Sequence, residues 1–310
     1  MTYIKDIIET GGRFEGPLLV KTADKGIATN GVEYFNINFQ DVTGTLNGKK
    51  WTVESGDSDL LKPGSIVNVT GNVFQYRGHP QLKVEDVFEA SEDDYDPADF
   101  YLSCPIKDEE LFKDLDDMIA LIEDEDIKKL TKAIIDENKE KYMTYPAAVS
   151  VHHAYRCGIV YHSLCICKMA LDVSKNYPQL NRDYLIAGSL IHDIGKTREM
   201  NGIVASSYTF EGNLLGHISI GTAIIMETGE RIGTPKDKVT ILAHMILSHH
   251  GKPEYGSAVI PQTPEAYVLH ILDDLDSKMN ILDNALSSVK VGNFSQRIPY
   301  MEGKAFLKTK

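Results

Sequence analysis

Cysteine is scarce in this 310-residue chain: Cys104, Cys157, Cys165 and Cys167 form no CxxC pair and no dense spacing, which excludes a disulfide-stapled secreted scaffold. The opening stretch MTYIKDIIET lacks a basic segment followed by an apolar one, so no secretory leader is expected and the protein is read as cytoplasmic. No apolar run approaches the roughly 18–20 residues of a membrane span. The nearest candidate is interrupted by His162, Ser163 and Lys168, and no membrane partner is expected. Internal repeats and low-complexity tracts are absent. Cationic excess is missing too: 32 Lys and Arg face 45 Asp and Glu, a formal charge of −13 and at first sight a poor match for a polyanion.

What is present is an ordinary globular composition, 42% hydrophobic and 25% charged, in a chain longer than one core usually organises. Two domains are the starting expectation. The charge is unevenly spread: residues 91–150 hold 18 acidic against 7 basic side chains, so −11 of the −13 lies in that stretch. The flanking parts are nearly neutral, and nucleic acid is not excluded as a partner.

Residues 14–89 read as strands. The segment from Val32 to Asp41 alternates strictly, with Phe35, Ile37 and Phe39 on one face and Tyr34, Asn36 and Asn38 on the other. A turn at Thr43–Gly44 leads into a second strand, Thr45 to Val53, and Ile66–Tyr76 with Pro80–Phe88 forms a hairpin across Arg77–Gly78–His79. Several short strands in so few residues predict a small all-β barrel over residues 1–90. The unpatterned SEDDYDPADF at 91–100 marks a boundary, and beyond Pro105 apolar residues from Leu111 to Ile135 recur at helical spacing among carboxylates. Residues 91–146 are therefore expected to be an acidic helical connector. An all-α domain follows over 147–290, with helices near 150–172, 183–193, 213–229, 236–250 and 264–288, then a tail over 291–310.

Nine of the ten histidines fall between positions 152 and 270. A lone helical histidine is usually packed or solvated, a reading that suits His270. His192–Asp193 differs, because it ends the apolar run LIAGSLI and is followed by Ile-Gly-Lys196, where the chain turns. His162, His192, Asp193, His217, His249, His250 and Asp273 each lie in or at the end of an expected helix. Imidazoles mixed with carboxylates suit manganese, iron, cobalt or zinc rather than a thiolate-selected ion; Mn²⁺ is the first expectation, with Co²⁺, Fe²⁺ or Mg²⁺ behind it. Seven donors exceed what one octahedral ion can take with room for water and substrate, so one or two ions per subunit are expected. Asp276, on an adjacent face of the same helix, is the alternative to Asp273.

The order H…HD…H…HH…D resembles the HD-domain metal-dependent phosphohydrolases. The flanking text strengthens the resemblance: HHAYR at 152–156, HDIGK at 192–196, GNLLGHI at 212–218, ILSHHG at 246–251, EYGS at 254–257 and DDLDSK at 273–278. QDVTGTL at 40–46 is similar to the strand–turn–strand of OB folds, and the two parts together resemble YhaM-type 3′→5′ exoribonucleases over nearly the whole chain. Where relatives often have GGLLE before the first histidine this chain has CGIVY, and Leu272 stands where Ala is common; neither change removes a donor.

The resemblance implies an N-terminal OB-like barrel, a C-terminal HD domain, and hydrolysis of single-stranded RNA to nucleoside monophosphates, with single-stranded DNA a second ligand. Asp193 would be shared between ions, His162, His192 and Asp273 completing one set and His217, His249 and His250 the other. Metal-activated water would attack the phosphodiester, with Lys196 holding the scissile phosphate beside Asp193. Tyr34, Trp51, Tyr76, Arg77 and Lys83 on the barrel, with His153 and Arg156 near the hydrolytic site, are the candidate nucleic-acid contacts. Apolar and aromatic surface in the connector and the QRIPY segment at 296–300 leads to the expectation of a homo-oligomer. Two other readings stay open: a phosphohydrolase of free or cyclic nucleotides with a regulatory barrel, and a non-catalytic nucleic-acid-binding protein.

Overall fold

The computed structural model describes residues 2–28, 31–76, 79–91, 95–101, 103–148, 155–202, 207–287 and 289–310. A β-barrel unit lies within residues 1–103, and a helical unit is built from Cys104 onward.

The barrel follows from alternation. Strands β1 (Gly12–Ile27), β2 (Glu33–Asp41), β3 (Gly44–Lys50), β4 (Ile66–Tyr76) and β5 (His79–Glu89) close in the order β1-β2-β3-β5-β4, with β3 and β5 parallel. Closure depends on β1, which pairs with β4 through Gly12–Leu19 and with β2 through Leu19–Ile27, its register shifting between Val20 and Thr22. A bulge there bends one strand into both neighbours. Leu18, Val20, Phe35, Ile37, Phe39, Leu46, Val69 and Leu82 fill the interior. Gly71 sits where a Cβ would come within 2.3 Å of the Lys83 carbonyl oxygen, so β4 and β5 approach closely only because that side chain is missing. The strand expected to run from Thr45 to Val53 stops at Lys50, whose buried ammonium pairs with Asp57 at 3.1 Å and donates to the Thr52 carbonyl, turning the chain inward.

The barrel unit also carries α1 (Ile4–Thr10) and α2 (Asp57–Leu60), and the helical unit contains α3 (Asp108–Ala120), α4 (Glu125–Glu137), α5 (Lys139–Thr144), α6 (Gly158–Asn176), α7 (Arg182–Ile191), α8 (Lys196–Glu199), α9 (Phe210–Ile232), α10 (Lys236–Ser248) and α11 (Pro264–Ser287). No helix among the described residues is long and apolar enough to cross a membrane. Helix α6, expected from about residue 150, begins at Gly158, because Cys157 takes a left-handed conformation (φ 63°, ψ 16°) that a right-handed helix cannot pass through.

The acidic helices do not stand apart. Leu111, Leu115, Ile127, Leu130 and Ile134 share one core with Leu164, Ile186, Leu190, Ile224, Leu242 and Leu269. Their carboxylates have local work as well: Asp124 caps α4 by accepting from Asp126 N and Ile127 N, and Lys238 Nζ bridges Asp124 and Asp126 at 2.6 and 2.8 Å.

Candidate metal centre and nucleic-acid face

The histidine donors and Asp193 are placed near a helix end or a helix break, and Asp273 by the interior of α11. His162 lies one turn into α6, His192 and Asp193 follow α7, and His249 and His250 follow α10. His217 depends on Gly216, whose backbone (φ 68°, ψ 156°) interrupts α9 in a region that disfavours side chains. The break leaves His217 N free to donate to Glu199 Oε1 at 2.9 Å.

Hydrogen bonds fix which ring nitrogen faces inward. His192 Nδ1 lies 2.9 Å from Ser189 O, His249 Nδ1 2.7 Å from Ile246 O, and His250 Nδ1 2.7 Å from Tyr255 O. A carbonyl can only accept, so Nδ1 carries the proton and Nε2 presents its lone pair. His217 Nδ1 is held likewise by Glu199 Oε1 at 3.1 Å. Backbone or carboxylate acceptors behind the ring are the usual support of metal-binding histidines.

Asp193 stands between two donor groups. Its Oδ2 lies 3.3 Å from His192 Nε2 and 3.8 Å from His162 Nε2; its Oδ1 lies 3.7 Å from His217 Nε2 and 4.0 Å from His249 Nε2. Within each of the sets His162, His192, Asp193 and His217, His249, His250, the ligand atoms all lie within 4.8 Å of one another. His192 Nε2, His217 Nε2, His249 Nε2 and Asp193 Oδ1 are buried without a hydrogen-bond partner. Buried polar atoms are normally satisfied, so one unpartnered carboxylate oxygen with three unpartnered imidazole nitrogens around it fits a divalent cation.

The alternative between Asp273 and Asp276 takes a geometric form. Asp273 Oδ1 is 3.0 Å from His162 Nε2, the nitrogen nearer Asp193, and 3.8 Å from His192 Nε2, whereas Asp276 Oδ2 is 2.7 Å from His162 Nδ1. Asp273 faces the donor set, and Asp276 stands behind the ring. Burial disfavours charge on His162, but Asp273 and Asp276 outweigh it and lift its pKa to about 9. Burial instead carries His249 well below the ordinary histidine value, where it keeps its lone pair.

Lys196 is buried, with Nζ 2.7 Å from Asp193 Oδ2. Burial opposes its charge, yet the attraction of Asp193 prevails and its pKa rises, while Asp193 is held far below the carboxylate range. Asp193, Lys196, His217, His250 and Asp273 line a cleft of about 450 Å³. Arg156 is not among its lining residues; its guanidinium grips Asp108 bidentately at 2.6 and 2.8 Å. His153 and Arg77 lie outside the described residues.

On the barrel, Tyr34 and Trp51 stack with centroids 4.9 Å apart, and Lys49 Nζ sits 5.2 and 5.4 Å from the two rings. Asn47 Nδ2 donates to Asn36 and Asn38 Oδ1, and Gln81 Nε2 to Asn47 Oδ1, giving an amide row beside that platform. Lys83, opposite Lys49 in the β3–β5 register, is exposed, as are Tyr76 and Phe74 on β4.

Lys49, Phe74 and Glu199 were not singled out from the sequence, and His270, read there as a packed or solvated residue, lines the cleft. Lys49 and Phe74 could have been found from alternation with Trp51 and Tyr76. Glu199 and His270 had no local signal, because their partners, His217 and the His249 carbonyl, lie 18 and 21 residues away.

Residues 159–278 match the HD domain family model. Over 97% of its length the chain is 39% identical to 3′-5′ exoribonuclease YhaM of Geobacillus sp. (strain WCH70), covering 93% of that protein. It is 38% identical to the protein of the same name from Bacillus subtilis (strain 168), again over 97% of the chain and 96% of the relative. For the Oceanobacillus iheyensis protein of that name the identity is 37%, over 96% of the chain and 94% of the relative.

Proposed function

As the chain belongs to the family of 3′-5′ exoribonuclease YhaM proteins, we propose that it removes nucleoside monophosphates from the 3′ end of single-stranded RNA in the cytoplasm, with the histidine–aspartate cluster holding divalent ions. The observation that carries this reading is the buried, unpartnered Asp193 Oδ1 together with three buried, unpartnered imidazole nitrogens around Asp193. His162, His192 and Asp273 hold one ion and His217, His249 and His250 a second, with Asp193 shared. Mn²⁺ is the proposed ion, ahead of Co²⁺, Fe²⁺ and Mg²⁺. Bound divalent ions supply positive charge at the phosphoryl oxygens and acidify water, so no side-chain nucleophile is needed. Lys196, kept protonated by Asp193, holds the scissile phosphate as a point charge. Glu199 and the carbonyls behind the other rings hold the imidazoles in the protonation pattern that binding requires.

The test is 5′-labelled RNA incubated with the protein and each ion in turn, with single-stranded DNA in parallel. Progressive 3′ shortening is the expected result. Turnover of free nucleotides at rates matching RNA would favour the nucleotide phosphohydrolase, and RNA retention in a gel shift without hydrolysis in any ion would favour a binding protein.

Asp276→Asn should lower metal affinity or kcat roughly 10–100-fold, the usual effect of disturbing a group behind a ligand. Asp273→Asn should cost more and lower bound metal in elemental analysis. Equal effects of the two changes would overturn the assignment.

Single-strand binding is proposed for the barrel face. Stacking on an aromatic contributes about 1–3 kcal/mol per base, so Tyr34→Ala with Trp51→Ala should weaken RNA binding about tenfold or more. Unchanged Kd in fluorescence anisotropy would remove this face from the reading.

A homo-oligomer is proposed on the strength of α11, which exposes Tyr267, Ile271, Leu275 and Met279 at four-residue spacing along one stripe. Light scattering should find an assembly that Ile271→Glu with Leu275→Glu reduces to monomers; a monomeric wild-type protein would end this proposal.

A further inference from the structure

Two tyrosines share the cleft with the donor cluster, and hydrolysis gives neither a task. Tyr208 and Tyr255 both line the cleft of about 450 Å³ while their side chains remain 51% and 63% exposed. Burying an aromatic ring is favourable by roughly 1.5–3 kcal/mol, so two open rings in one concave site are a surface ready for an apolar, planar group.

The backbone at each ring is linked to a donor histidine. The Tyr255 carbonyl accepts from His250 Nδ1 at 2.7 Å, and the turn that carries it is closed by Tyr255 N donating to Lys252 O at 3.0 Å. Tyr208 pairs with Met200 across a two-stranded ladder, and the next residue donates from Thr209 N to the Glu199 carbonyl at 2.9 Å. Glu199 is the residue whose carboxylate holds His217. The backbone that carries each ring is thus anchored to the donor cluster by short bonded links.

We propose that Tyr208 and Tyr255 form the base subsite of this cleft, taking the base of the 3′-terminal nucleotide by stacking while the donor cluster and Lys196 hold its phosphate, without discrimination among the four bases. The proposal rests on the exonuclease reading above. The cleft volume falls within the roughly 300–1,000 Å³ typical of small-ligand sites, room for one nucleotide. Indifference to sequence follows from the lining: among the described residues it includes no Asn, Gln or Arg, and the Lys and carboxylates that could also read a base edge are already paired, Lys196 with Asp193, Glu199 with His217, Asp273 with His162 and Asp274 with Lys278. Stacking tolerates any base, since every base has a π-face.

The experiment compares RNAs ending in A, C, G or U with the same RNA ending in an abasic ribonucleotide, using the full chain with Mn²⁺. The wild-type protein should cleave the four ordinary ends with kcat/KM values within about threefold of one another, and the abasic end roughly 5- to 150-fold less well. In Tyr208→Ala with Tyr255→Ala that ratio should collapse toward one, since without the rings an end that carries a base gains nothing over one that lacks it. Tyr208→Leu with Tyr255→Leu keeps apolar bulk and should collapse it equally, which separates stacking from packing. An undiminished ratio in either double variant, or strong preference for one base, would overturn the subsite while leaving the nuclease reading intact. Absence of 3′ shortening by the wild-type protein would overturn both.

Discussion

Replacing His192 and Asp193 together by alanine is expected to abolish 3′ shortening of RNA, a loss of about a thousandfold or more, and to strip bound metal. The expectation exceeds the roughly 10–100-fold cost of disturbing a supporting group because Asp193 is common to both donor sets, with one oxygen toward His192 and His162 and the other toward His217 and His249. Removing it would disable both. Asp193→Ala also leaves the buried ammonium of Lys196 without its 2.7 Å partner, and breaking a buried pair costs about 3–5 kcal/mol. Asp193→Asn is therefore the informative companion: it keeps shape and a hydrogen-bond acceptor, so the thermal midpoint should fall less while activity and metal content still collapse. Activity surviving at more than a tenth of wild type in the asparagine variant would mean that Asp193 is not the shared ligand.

The positions of His192, His249 and His250 were readable because each sits at a helix end that the sequence announces, as where LIAGSLI breaks into HDIGK. What stands behind them was not. Glu199 reaches His217 only because Gly216 interrupts α9, and a broken helix with apolar flanks reads locally as an unbroken one. The acidic stretch shows the same limit differently. Leu111, Leu115, Ile127 and Leu130 displayed helical periodicity, which says that one face is apolar; it does not say that α6 and α7 cover that face. Nor could spacing show that Arg156 pairs with Asp108, 48 residues earlier. Barrel alternation carried further, since a period of two fixes both faces at once: Phe35, Ile37 and Phe39 are buried, and Tyr34 is left to stack on Trp51.

Gly195→Ala is expected to be the most damaging single methyl group that could be added to the helical unit near the site. The backbone of Gly195 is ordinary (φ −61°, ψ −24°), so alanine meets no conformational penalty there. The obstacle is space: a Cβ would lie 2.0 Å from the His217 carbonyl oxygen and 2.7 Å from Gly221 N. These are backbone atoms of α9 and cannot swing aside, so α8 and α9 must separate, and the separation carries His217 away from Asp193. Overpacking of this kind costs about 3 kcal/mol or more, which for a unit of this size lowers the thermal midpoint by roughly 10 °C. RNA cleavage should fall with it even below the melting range. Gly221→Ala, across the same contact, predicts the opposite sign. Its Cβ would lie 3.4 Å from Gly195 N and 3.5 Å from Ile194 and Ile246 side-chain carbons, ordinary packing distances. Replacing glycine by alanine inside a helix gains about 1 kcal/mol, so this variant should melt at or above the wild-type temperature and retain activity. Calorimetry on the two variants decides the matter: similar behaviour would mean that the α8–α9 contact does not hold His217 in place, and opposite shifts would tie the glycine of HDIGK to the geometry of the metal centre.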